Sequence, residues 1–196
     1  MDVEALDRRV TGVFILPAQK VLVVATPRTG SRSLMQAIED AKFPGAHKTK
    51  VHHDWPHEVS RAASGGNYEV WSIIREPLHQ LRSWIYHAGM DKTPDKFIRQ
   101  YKNRYFFYEG GMNIYNRVVH RYFVFENNGH ARLLNALGAS LEPHKIPWIG
   151  RSNSLSDDLG MFFDDSCVAM AKDRFKLDFE LYDLWREKDV LDTDDG

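Results

Sequence analysis

Short β-branched runs that give way to segments of helical period most narrow what this chain can fold into. Val21–Thr26 is such a run, ending at a proline, and Ser31–Asp40 after it carries Leu34, Ala37 and Ile38, continued by Ala41, at helical spacing. Thr49–His53 reads as a second strand and Glu58–Ala63 as a short helix. Glu69–Ile74, with Val70, Trp71, Ile73 and Ile74, reads as a third strand. Beyond it Pro77 suits a first helical turn, and Leu78, Leu81, Trp84, Ile85 and Ala88 mark a buried face. Tyr122–Phe125 reads as a fourth strand, followed by a helix ending near Leu137-Gly138, and residues 157–191 read as two helices. This alternation predicts an α/β fold: a central parallel sheet flanked by helices, in three layers. Ligands of such folds bind at the carboxyl ends of the strands.

Composition bounds the rest. A chain of 196 residues argues for one domain, here 1–188, with 189–196 as an acidic, frayed tail carrying Asp189, Asp192, Asp194 and Asp195. Twenty-six Lys plus Arg against twenty-seven Asp plus Glu, net −1, exclude a generally basic nucleic-acid binder. One cysteine, Cys167, excludes a disulfide framework and a cysteine-built zinc site within the chain. The longest apolar runs, Val13–Leu16 and Val21–Ala25, fall far short of the ~20 residues that span a bilayer. Asp2, Glu4 and Asp7 make the amino end too acidic for a signal peptide. The expectation is a cytoplasmic protein with neither a membrane nor a nucleic-acid partner.

At the end of the first predicted strand stands Thr26-Pro27-Arg28-Thr29-Gly30-Ser31-Arg32-Ser33-Leu34. Gly30 permits close backbone approach, and the helix start offers N–H groups and the positive end of its dipole. Hydroxyls and two guanidinium groups surround that point, which is the chemistry of an anion site. It is not a Walker loop: Gly30 precedes Ser31 rather than lysine, and Ala25 stands where the earlier glycine belongs.

At the third strand end, Arg75-Glu76-Pro77 opens a helix, and Ser83 lies eight positions beyond Arg75. A charge-assisted donor and a hydroxyl near a helix N-terminus converge well on one phosphate. At the second strand end, His52-His53-Asp54-Trp55 supplies imidazoles that can take a proton near neutral pH. The two rings point to opposite sides of a strand, and His52 is preferred over His53 as the base. His47, His57, His79, His87, His120, His130 and His144 keep the default structural reading.

The first stretch resembles the 5′-phosphosulfate loop, P-[KR]-x-G-[ST]-[ST], of PAPS-dependent sulfotransferases, and Arg75, Glu76, Pro77 and Ser83 match their 3′-phosphate motif, R-[DE]-P-x-x-R-x-x-S. The resemblance implies a P-loop-NTPase-like fold on which Arg28 stabilises charge on the bridging oxygen and Thr29, Gly30 and Ser31 cradle the 5′-phosphate. Arg32 holds the second hydroxyl position, with Ser33 just after it, and Gln80 stands where the family has its second arginine. Arg82, two residues further along the helix, is rotated by ~200° from Gln80 and is not expected to replace it. His52 through Glu58 resembles the H-x-D-W-x-E stretch of heparan-sulfate 6-O-sulfotransferases with one extra residue, which implies His52 as the base. Arg151 and Asn153 fall where the family places a loop over the nucleotide. Phe175–Tyr182 is similar to its C-terminal packing helix. The aromatic and cationic stretch Arg99–Tyr108 suits either stacking on sugar rings or helix packing.

The resemblance implies a sulfotransferase with PAPS as cosubstrate, PAP as product, no metal, and a hydroxyl acceptor of the saccharide class. The alternatives are a divergent ATP-dependent phosphotransferase and a nucleotide-binding module that has lost catalysis.

Overall fold

Pro17-Ala18-Gln19-Lys20 is too short to be a crossover, so the apolar runs on either side of it must pair antiparallel. In the computed structural model, which describes residues 13–24, 28–48, 59, 63–87, 93–100, 119–139, 146, 159–160 and 162–194, they do. β1 (Val13–Leu16) and β2 (Val21–Val24) form a hairpin in the register Val13↔Val24 and Leu16↔Val21. The turn is closed by the Lys20 N–H donating to the Pro17 carbonyl at 3.3 Å.

The sheet has five strands in the order β3-β1-β2-β4-β5. β3 (His47–Lys48) pairs antiparallel with β1. β4 (Glu69–Ile74) and β5 (Arg121–Val124) extend β2 in parallel, as Val23↔Trp71 and Ile73↔Phe123. The fold is therefore α/β with a mixed sheet rather than the wholly parallel one expected. The expected strand at 49–53 lies outside the described residues. Phe125, expected to end the last strand, instead begins a 3-10 turn, Phe125–Asn127.

The chain divides into two compact units, Met1–Ile74 with Asn113–Gly150 and Arg75–Met112 with Arg151–Gly196, where composition alone points to one domain over 1–188. In the first unit, one face of the sheet carries Phe14, Leu16, Val21, Val23, Trp71, Ile73 and Phe123. Against it pack Leu34, Met35, Ala37 and Ile38 of α1 (Ser31–Ala41). α4 (Gly129–Ala136) adds Ala131, Leu133 and Leu134. Val13, Ile15, Leu22, Val24, Val70, Ile74, Tyr122 and Val124 alternate with the first set and are buried as well. Burial on both faces is why these strands read as continuous apolar runs.

The second unit is helical: α2 (Pro77–His87), α3 (Pro94–Gln100), α5 (Asp165–Arg174) and α6 (Lys176–Asp194). α2 packs against α3 and α6, and α5 packs against α3 and α6. α5 starts at Asp164, whose carboxylate accepts from the Cys167 N–H at 2.7 Å. α6 continues through residues 189–194, which their acidic composition suggests as a frayed tail. Among the described residues no helix is long and apolar enough to cross a membrane.

Candidate functional site

The carboxyl end of β2 is pinned before the chain leaves it. The Ser72 hydroxyl of β4, fully buried, donates to the Val24 carbonyl at 3.0 Å. The chain then returns as a turn at Arg28-Thr29-Gly30 and enters α1. Arg28 (φ 65°) and Gly30 (φ 71°) are both left-handed. That conformation suits glycine and costs an arginine about 1–2 kcal/mol. Gly30 is the N-cap residue, and its carbonyl accepts the first helical bond, from the Leu34 N–H at 3.1 Å. The N–H groups of Ser31, Arg32 and Ser33 thus precede the helical ladder. No acidic residue stands in the first turn.

Of the residues expected to hold the 5′-phosphate, Thr29, Ser31 and Ser33 are buried, Arg28 and Gly30 are half-buried and Arg32 is exposed. Burial, and then the Arg32 cation, push the Arg28 guanidinium below its ordinary pKa. Both causes penalise the charged form, and an anion beside Arg28 would offset both.

His130, assigned no special role by the sequence reading, closes this turn from behind. It is 5 % exposed, and its Nε2 donates to the Thr29 carbonyl at 2.9 Å. A carbonyl only accepts, so Nε2 carries the proton. Phe125 meets the ring edge-on at a centroid distance of 5.2 Å. Gly129 lets α4 begin hard against β5, since a Cβ there would lie 2.5 Å from the Val124 carbonyl oxygen. His130 stands in the first turn of α4, the helix that follows β5.

In the second unit, Arg75 follows β4 directly and is half-buried. Glu76 acts as an N-cap: its Oε2 accepts from the His79 N–H at 2.8 Å and its carbonyl accepts from the Gln80 N–H at 3.0 Å. The positive end of α2 is therefore met by the chain's own carboxylate. The expected 3′-phosphate contacts would thus rest on the side chains of Arg75 and Ser83. Ser83, half-buried, lies one turn beyond His79 and Gln80.

Gln80 is fully buried and Arg82 is 3 % exposed. Their ~200° separation does not send one to solvent, because α2 is packed on more than one side. Arg82 Nη2 donates to His79 Nδ1 at 3.4 Å. Phe175, Asp178, Leu181 and Tyr182 of the C-terminal motif are buried, in keeping with its reading as packing.

His52, His53, Arg151 and Asn153 lie outside the described residues. Among the described residues no group of three or more His, Cys, Asp or Glu side chains stands together as a metal ion would require. Ile98, Arg99, Met170, Asp173 and Arg174 line a cleft of about 360 Å³ in the second unit. No family model, curated protein or solved structure matches the chain.

Proposed function

We propose that the protein is a PAPS-dependent sulfotransferase on a three-layer P-loop-like fold, transferring a sulfuryl group to a hydroxyl acceptor of the saccharide class. The observation that carries the reading is the strand–turn–helix at Arg28–Ser33. A left-handed arginine and glycine frame a helix start that has no acidic residue in its first turn, with two guanidinium groups beside it. The order of the motifs along the chain, Arg28–Ser33 first and Arg75–Ser83 later, supports the same reading. The 3′-phosphate is assigned to Arg75 and Ser83 on motif resemblance. Arg151 and Asn153 are assigned to the nucleotide on the same ground. One free cysteine suits a reducing, cytoplasmic compartment.

In the proposed reaction the acceptor oxygen attacks sulfur in line and its proton passes to His52, with His53 as the alternative base. The bond between sulfur and the 5′-phosphate oxygen breaks, and the charge left on that oxygen is met by Arg28. Positioning and electrostatic stabilisation supply the barrier reduction. Thermal unfolding with PAP, with ATP plus magnesium, and with AMP tests the cosubstrate. A ligand at ~100 times its Kd stabilises by about 2.7 kcal/mol, a Tm rise of about 5–11 °C for a chain of this size. The rise is expected with PAP and should be lost, with sulfate transfer, in Arg28→Ala. A rise with ATP and magnesium and none with PAP would replace this reading with phosphoryl transfer. PAP binding without transfer to any of a broad acceptor panel would indicate a binding module.

A further inference from the structure

We infer that His130 is a positioning residue for the phosphate loop: by holding the Thr29 carbonyl, it aims the Gly30 N–H at the bound anion. The inference rests on the reading of Arg28–Ser33 as a phosphate site. A trans peptide is planar, with its carbonyl and the following N–H antiparallel. His130 Nε2 sits 2.9 Å from the Thr29 oxygen, so the Gly30 N–H of the same peptide points away from the ring. In a trans peptide the next Cα lies on the carbonyl's side, and the contacts agree. A Cβ on Gly30 would fall 2.5 Å from His130 Cε1 and 3.1 Å from Phe125 Cε2. One ring therefore covers the whole back of the peptide and leaves its N–H side to the ligand.

Within the described residues the Gly30 N–H makes no hydrogen bond, while the Gly30 carbonyl is already spent on Leu34. A peptide free to flip would present the Thr29 carbonyl oxygen to the anion, where it would repel. The ring that prevents the flip is itself fixed. Phe125 meets it edge-on, at 89°, and Gly129 seats the helix that carries it against the end of β5. His130 touches neither nucleotide nor acceptor in this account. It acts through the Thr29–Gly30 peptide, and a hydrogen on Nε2 is all it must supply.

The test uses the full chain and PAP as the probe, with Kd measured by calorimetry and the urea midpoint followed in parallel. His130→Phe keeps a ring and removes the donor, and should weaken PAP by about tenfold. His130→Gln, which offers a side-chain N–H, should recover most of that loss. A merely structural role would lower the urea midpoint of His130→Phe and leave the PAP affinity of the folded protein unchanged. In the wild-type chain the Gly30 amide resonance should move strongly on PAP addition, and this reading decides the matter if His130→Phe does not fold. PAP binding with a stationary Gly30 amide, or with equal affinity in His130→Phe, overturns the role of His130 and leaves the phosphate loop standing. Binding of neither PAP, ATP with magnesium, nor pyrophosphate by the wild-type chain overturns the phosphate loop and this inference together.

Discussion

Gly30→Ala adds one methyl group where a side-chain ring already closes the turn from behind. The residue sits at φ 71°, where any L side chain is strained by about 1–2 kcal/mol. The new Cβ would lie 2.5 Å from His130 Cε1, 3.1 Å from Phe125 Cε2 and 3.2 Å from His130 Nε2. The ring cannot swing clear without giving up its 2.9 Å bond to the Thr29 carbonyl and its packing on Phe125, so overpacking adds about 1–3 kcal/mol. The expected loss is about 2–5 kcal/mol by urea unfolding, or a Tm lower by about 4–20 °C. The double variant Gly30→Ala/His130→Ala isolates the clash. With the ring gone, only the backbone strain of Gly30→Ala remains, and the two substitutions should couple by about 1–3 kcal/mol. Additivity within about 0.5 kcal/mol, or a single-variant loss below about 1 kcal/mol, would show that the ring yields and that the turn is not clamped from behind.

Two further perturbations probe the helical unit. Glu76→Ala removes the cap on the His79 N–H and should cost about 0.5–2 kcal/mol by urea unfolding, with Glu76→Gln retaining part of it; no change in the midpoint would mean that the cap contributes nothing. The Cys167 thiol is pushed above its ordinary pKa by burial, and then by Asp164. The neutral thiol therefore contributes stability that is fully present below the ordinary thiol pKa of about 8.5 and is lost as pH rises toward the folded value. Urea midpoints measured from pH 7 to pH 10 should fall less in Cys167→Ala than in the wild-type chain, and parallel declines would refute the assignment.

Elements whose character is local were legible in the sequence. Glu69–Ile74 is a strand with the limits its β-branched run suggests, and α1 buries Leu34, Ala37 and Ile38 as its period requires. What escaped depends on partners. Val13–Leu16 reads as an apolar run, and its antiparallel pairing with β2 and β3 is what makes it a strand and the sheet mixed. On α2, Leu81 and Ile85 are buried as the apolar spacing suggests, but Gln80 and Arg82 are buried with them, and no count of apolar residues marks those two. His130 was invisible for a different reason. Its partner, Thr29, lies 101 residues away along the chain, and no local pattern carries that contact. Glu76 shows the reverse case. Its place before Pro77 is visible in the sequence, but that its carboxylate turns back onto the His79 N–H is a matter of geometry.

The antiparallel hairpin also has a kinetic meaning. Joining β1 to β2 closes a loop of residues 17–20, whereas bringing β4 beside β2 must close over residues 25–68, and β5 must arrive from as far again. Loop-closure entropy rises with the length closed, so the hairpin is the pairing of this sheet with the lowest entropic barrier. The turn that carries Arg28 follows the second arm of that hairpin. Its foundation is thus laid by the most local contact in the sheet, while the strand that delivers His130 to the back of the turn joins by one of the least local.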